Sequence, residues 1–110
     1  MLSIINAAYE SYKILVAINE KVSKRWRYSF GFSAEEHITS FLRNLIMAKN
    51  APKALKAKYL IEAESYLELL RLQLRMYLEL ELANETKIFQ LQAKLEETGR
   101  MLGGWLKSLQ

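Results

Sequence analysis

The feature that most constrains this chain is a long run from Ala57 to Leu82 with apolar residues at helical spacing. These residues recur at intervals of three and four: Leu60, Ala63, Leu67, Leu70, Leu74 and Tyr77. Such spacing is typical of one face of an α-helix. A helix of this kind buries its apolar face against other elements. The run therefore predicts a protein built from packed helices.

The segments on either side of the run supply the partner helices. We predict a first helix that begins after Ser3 as its N-cap and ends near Val22. A second helix is expected to begin at the capping box Ser33-Ala-Glu-Glu36 and to end at Asn50-Ala-Pro52. A fourth is expected to begin at Asn84. Because the connections are short, neighbouring helices should be antiparallel.

These patterns predict an all-α protein, an antiparallel up-down four-helix bundle. Its 110 residues fit a single domain, residues 1–110. The core is expected to hold the run's apolar face together with residues of the other three helices: Ile5, Ala8, Tyr9, Tyr12, Leu15, Val16, Ile18, Ile38, Phe41, Leu42, Leu45, Ile46, Ile88, Leu91, Leu95, Leu102 and either Trp105 or Leu106. Asn19 is expected to lie largely outside this face.

Glycines near the C-terminus leave two interpretations open. Gly99, Gly103 and Gly104 each weaken a helix by about 1 kcal/mol relative to alanine. In one interpretation Gly103 and Gly104 end the fourth helix. In the other, the glycines admit another helix or a neighbouring protomer, and Trp105 covers that contact.

Positive charge is concentrated in one part of the chain. The segment from Lys13 to Lys58 contains ten basic and three acidic residues, so its net charge is +7. Because the whole chain has a net charge of +4, the rest of the chain carries −3. The excess lies largely at the first two connections, which an up-down bundle places at opposite ends. Two basic ends would attract a polyanion. Alternatively, the lysines only keep a small protein soluble.

The first connection has the stronger signature of nucleic-acid binding. In the segment from Ser23 to Phe32, basic residues alternate with aromatic ones and no helical period is present. Guanidinium groups suit phosphates, and aromatic faces suit bases. Trp26, Phe30 and Phe32 fit equally well as core residues that close the end of the bundle.

A charged stripe follows the third helix at steps of four, three, four and four: Glu64, Glu68, Arg71, Arg75 and Glu79. Pairs of Glu68 with Arg71 and of Arg75 with Glu79 would contribute about 0.2–0.5 kcal/mol each. The two arginines repel each other, so a carboxylate or phosphate from another protomer or a ligand would stabilise them.

The residues argue against an enzyme, a metal site or a bound cofactor. The chain has no cysteine, and its one histidine, His37, is expected at the surface beside Glu35 and Glu36. Catalytic and metal sites depend on such groups or on convergent carboxylates. Phosphate-binding glycine loops and the Glu-x-x-His spacing of di-metal bundles are absent from the sequence. No apolar run reaches the roughly 18 residues of a membrane span, and no secretion signal is visible, which predicts a cytoplasmic protein without membrane contact.

Three segments in their order and spacing resemble one family. They are Lys24-Arg-Trp-Arg-Tyr-Ser-Phe-Gly31, Leu69-Leu-Arg-Leu-Gln-Leu-Arg-Met76 and Thr98-Gly-Arg-Met-Leu-Gly-Gly-Trp-Leu-Lys-Ser108. Over nearly its whole length the chain resembles the accessory variability determinant (Avd) proteins of diversity-generating retroelements. These are close relatives of four-helix proteins encoded in intervening sequences of bacterial 23S ribosomal RNA genes.

The resemblance implies a basic, barrel-shaped homopentamer of four-helix protomers. It also implies binding to the element's reverse transcriptase and to its template RNA or cDNA, in support of mutagenic copying, with no small-molecule substrate. From charge we assign phosphate contacts to Lys24, Arg25, Arg27, Lys49, Lys53, Lys56 and Lys58, and contacts to the polymerase or RNA to Arg71, Arg75 and Arg100. We assign oligomer contacts or packing to Gly99, Gly103, Gly104 and Trp105.

Two alternatives remain open at this point. One is an intervening-sequence protein that binds RNA outside any retroelement. The other is an oligomeric protein scaffold without nucleic-acid contact.

Overall fold

The structure, a computed structural model that describes residues 2–110, is a four-helix bundle. Its long helices are α1 (Leu2–Glu20), α3 (Phe32–Asn50), α4 (Lys53–Glu79) and α5 (Glu85–Ser108). A short helix α2 (Lys24–Trp26) and a π-helical segment (Arg27–Gly31) lead directly into α3. The prediction of an all-α four-helix bundle is confirmed.

The four long helices stand at the corners of a square. Helix α1 packs against α3 and α5, and α4 packs against the same two helices, so α1 lies diagonally opposite α4. Sequential helices are antiparallel, since the end of α1 meets the start of α3 and the end of α3 meets the start of α4. The bundle measures 44 × 22 × 19 Å.

The apolar face predicted for the long run forms the centre of the core. All six of its residues, from Leu60 to Tyr77, are at most 1% exposed. Two core predictions are wrong, because Tyr9 and Ile46 are 52% and 42% exposed. Asn19, which was predicted to lie outside the apolar face, is buried, and its side chain makes the hydrogen bonds described below.

Several helix boundaries differ from the prediction. Helix α1 already includes Ser3, so this residue is not an N-cap, and the helix ends at Glu20. Helix α4 begins before Ala57, at Lys53. The predicted cap at Asn84 is confirmed, since its side-chain oxygen accepts a hydrogen bond from the Lys87 backbone N–H at 3.2 Å.

The first connection is helical, contrary to the prediction. The residues from Lys24 to Gly31 lack a period of 3.6 because part of the segment is a π-helix, whose hydrogen bonds span five residues. Gly31 does not interrupt the helical structure, because it has right-handed helical φ and ψ and is buried. Ser33 lies inside α3 and starts no new helix.

Helix α5 continues through Gly103 and Gly104 to Ser108, so the interpretation that these glycines end the helix is wrong. Within residues 2–110, none of the helices is both long and apolar enough to cross a membrane.

Candidate nucleic-acid interface

A buried polar network fixes the first connection against the bundle. The Tyr77 hydroxyl donates to Asn19 Oδ1. Asn19 Nδ2 in turn donates to the Gly31 carbonyl at 3.0 Å and to Glu35 Oε2 at 2.8 Å. A Cβ on Gly31 would lie only 3.1 Å from the Asn19 side chain, so glycine allows this close approach. The network holds the π-helical segment between α1 and α4.

Burial also determines the protonation of Tyr77. Desolvation raises the pKa of its hydroxyl from 10.0 to about 12, while the hydrogen bond to Asn19 lowers it and the nearby Glu35 charge raises it. The raised pKa keeps the hydroxyl protonated, and able to donate, well into the alkaline range. Phe30 packs on the same ring, with centroids 5.0 Å apart.

This anchored segment presents basic and aromatic groups to solvent. Lys24 and Arg25 are exposed, and the Arg25 guanidinium lies 5.2 Å from the Trp26 ring centroid. Tyr28 is 68% exposed. Trp26 is half-buried and packs against the core, so Arg25 and Tyr28 are the exposed guanidinium and ring that suit contacts to phosphate and base.

Arg27 has a different role from its neighbours. Its Nη2 donates to the backbone carbonyls of Glu20 at 2.8 Å and Val22 at 3.1 Å. These carbonyls belong to the end of α1 and to the residues just after it, where intrahelical donors are missing. Arg27 thus caps α1, so less of its hydrogen-bonding capacity is left for a ligand.

The second basic group lies at the junction of α3 and α4. Lys56 Nζ caps α3 by donating to the carbonyls of Ala48 at 2.8 Å and Lys49 at 3.0 Å. The side chains of Lys49, Lys53 and Lys58 are exposed. This end therefore offers three cations that do not cap the helix.

The two basic groups do not meet within one protomer. The first lies where α1 ends and α3 begins, and the second lies where α3 ends and α4 begins, which are opposite ends of the 44 Å bundle. We call them the first basic end (Lys24, Arg25 and Arg27) and the second basic end (Lys49, Lys53, Lys56 and Lys58).

Two of the three arginines assigned to partner contacts form ion pairs within the chain. Arg71 Nε lies 3.6 Å from Glu96 Oε1 of α5, not beside Glu68 as predicted. Arg75 Nη2 lies 3.6 Å from Glu79 Oε2, the predicted pair. Both pairs are largely solvent-exposed, so they contribute little to stability. Arg100 is exposed on α5.

The C-terminal glycines have two different surroundings. A Cβ on Gly99 would lie 2.6 Å from Arg71 Nη2 and 3.2 Å from Leu67 Cδ2, so Gly99 admits the α4 side chains. Gly103 and Gly104 face open space, with no atom within 4 Å of a Cβ. Trp105 is half-buried and packs against the core.

Two further surfaces were missed by the sequence analysis. One is an exposed apolar stripe on α4, and the other is a groove between α1 and α5. From Leu69 to Leu80 the stripe repeats at intervals of three and four residues, so a search for a second apolar face would have found this part of it. The groove joins residues far apart in sequence, which no local pattern reveals.

His37 is half-buried, although a surface position was predicted. Its Nδ1 lies 3.2 Å from Gln73 Oε1, and its ring faces Tyr66 with centroids 6.1 Å apart. These contacts place it in the packing of α3 on α4. Nowhere in the described part of the chain do three or more metal-ligating side chains come together.

Residues 4–109 match the protein family described as bAvd-like. No curated protein matches the chain.

Proposed function

This chain belongs to the bAvd-like family, and we propose that it is a non-enzymatic accessory protein of a diversity-generating retroelement. In this proposal it binds the element's reverse transcriptase and template RNA or cDNA, and supports mutagenic cDNA synthesis. The observation that carries the proposal is the family match, which spans nearly the whole chain.

The charge distribution supports the nucleic-acid part of the proposal. Lys24 and Arg25 at the first basic end are exposed beside aromatic rings, and the second basic end adds three exposed lysines. Such groups bind phosphates through ion pairing and counterion release. Arg27 and Lys56 contribute positive potential while they cap helices.

We further propose that the protein works as a homopentamer, as the family resemblance implies. A ring would repeat each basic end around one rim, and the summed potential would attract RNA more strongly than one protomer does. The remainder of the chain, which carries −3, leaves acidic surface for protein contacts with other protomers or the polymerase.

Charge reversal at the first basic end tests the nucleic-acid contact. Lys24→Glu should weaken binding to structured RNA several-fold at low salt and reduce the magnitude of the salt slope by about 1, since one phosphate contact is lost. Arg43→Glu is the matched control, because it makes the same charge change at an exposed position in the middle of α3. Equal losses in both variants would show that only net charge matters.

A separate pair of charge reversals, at Arg75 and Arg100, tests the polymerase contact. The wild-type protein should co-purify with the reverse transcriptase of the same element, with or without RNA. Reversal of Arg75 or Arg100 should weaken that complex while RNA binding is retained. If neither change affects the complex, these arginines are not the contact.

An oligomeric scaffold is the alternative favoured by the exposed apolar surface of α4. It predicts that Lys24→Glu with Arg25→Glu leaves function unchanged. Loss of RNA retention in this double variant, with the oligomer intact, would exclude the scaffold.

A further inference from the structure

Helix α4 carries a second apolar face that no part of the described chain covers. Five large apolar side chains on α4 and its C-cap are each between 37% and 59% exposed, the last four at intervals of three and four and the first two turns earlier: Ile61, Leu69, Leu72, Met76 and Leu80. We call this surface the α4 stripe. It extends over 19 residue steps, or about 28 Å of helix. Exposed apolar side chains grouped on one side of a helix in this way mark an interaction site.

The α1–α5 groove is a concave surface with an apolar floor. It has a volume of about 510 Å³ and is floored by Ile14, Ala17, Ile18 and Ala83. A smaller hollow of about 330 Å³ shares Glu10, Ile14 and Gln90 with it and extends it along both helices. The groove and the hollow together extend from Ala83, just before α5, to Glu97 of α5, a distance of about 20 Å.

The stripe and the groove lie on opposite sides of the bundle. Gln73 and Tyr66 of α4 face α3, through Ser33 and His37. Leu69 and Met76 are one helical turn from these residues, so the stripe leans toward α3. In the square arrangement the α3–α4 side is opposite the α1–α5 side.

The groove is lined mainly by cations, whereas the segment that carries the stripe is acidic. The groove and its extension are lined by four lysines and two glutamates: Lys13, Lys21, Lys87, Lys94, Glu10 and Glu97. The segment from Ile61 to Glu81 contains five glutamates and two arginines, which gives −3. Stripe against stripe would join two acidic surfaces, and groove against groove would join two basic ones. Only stripe against groove joins opposite charges.

We propose that the α4 stripe of one protomer docks into the α1–α5 groove of a second copy of this chain. The inference rests on the self-association in the proposed function, and names the surfaces that meet. Because the surfaces are different and lie on opposite sides, the contact is heterologous. Repetition of a heterologous contact closes into a ring when the rotation between protomers allows it.

Two single substitutions each disable one surface. Leu72→Lys places an ammonium in the centre of the stripe, opposite the groove lysines, and Glu68 four residues earlier supports it within the helix. Ala17→Lys places a long cationic side chain at an exposed position of the groove lining, where it obstructs the docking of an apolar stripe. Ile46→Lys is the matched control, an exposed aliphatic side chain outside both surfaces.

Light scattering at micromolar concentration is the readout, with circular dichroism to confirm folding. We expect an oligomer for the wild type and for Ile46→Lys, and a 12.8 kDa monomer for each of the other two variants. Mixing Leu72→Lys with Ala17→Lys should give a 1:1 complex of twice that mass, because one intact stripe then meets one intact groove. Gln90→Lys, on the opposite wall of the groove, replaces Ala17→Lys if that variant does not fold.

Three results would overturn the inference. They are retention of the oligomer in either variant, failure of the two monomeric variants to associate on mixing, and a monomeric wild type. The last would also refute the proposed self-association, whereas the first two leave it standing. None of the three affects the test of RNA binding at the first basic end.

Discussion

At the residue scale, Asn19 and Tyr77 decide the local structure of the basic segment. The sequence predicted Tyr77 as core, and its burial is confirmed. Asn19 was expected largely outside the apolar face of the first helix. Its burial depends on three hydrogen-bond partners from different parts of the chain, which no local pattern contains.

This network predicts a pH dependence of stability. The pKa of Tyr77 is about 12 when folded and 10.0 when unfolded, so the unfolded state loses its proton first. Stability contributed by the raised pKa is therefore complete below pH 10 and is lost as the pH rises toward 12, by up to about 3 kcal/mol. Urea unfolding of the wild type at about pH 8 and about pH 11 should show roughly half of this loss, because pH 11 lies midway between the two pKa values.

Tyr77→Phe is the control for that measurement. It should be about 1–2 kcal/mol less stable than the wild type at neutral pH, because Asn19 Oδ1 loses its donor. The difference should shrink as the pH approaches 12. An unchanged difference would refute the assignment of the pH dependence to Tyr77.

At the scale of elements, hydrophobic periodicity predicted the four long helices and most of their buried faces. It failed between Lys24 and Gly31, where a π-helix abolishes the period of 3.6. It also predicted only one apolar face for α4, whereas Leu69, Leu72 and Met76 form another. The basic residues of the ends were recognised by composition, but the capping roles of Arg27 and Lys56 require the structure.

Helix α5 gives a prediction on its exposed glycines. Gly103→Ala with Gly104→Ala should stabilise the monomer by about 1 kcal/mol per site, because alanine is the better helix former and each Cβ enters open space. Chemical denaturation of Leu72→Lys, which we expect to be monomeric, isolates this effect. Gly99→Ala should gain less, because Arg71 and Leu67 must move. No gain in the free energy of unfolding from the alanines at Gly103 and Gly104 would show that helix propensity does not determine stability at these positions.

At the scale of the whole molecule, the protein is a bundle with two basic ends, and we propose that the α4 stripe on one side fits the α1–α5 groove on the other. Within a ring built by stripe-to-groove contacts, the stripe and the groove become internal while both basic ends remain at the rims. Protein association and RNA binding would then use different surfaces. Charge reversal at the basic ends should accordingly leave association intact, whereas monomeric variants should keep the phosphate contacts of each protomer but lose the summed potential of the ring.

The central claim is that this protein binds nucleic acid through phosphate contacts at its basic ends. The most direct measurement is a titration of the wild-type protein with structured RNA at several salt concentrations. Each end offers two or three cations that do not cap helices, so the logarithm of the affinity should fall against the logarithm of the salt concentration with a slope of about −2 or steeper. No binding at low salt, or binding that salt does not weaken, would contradict the account.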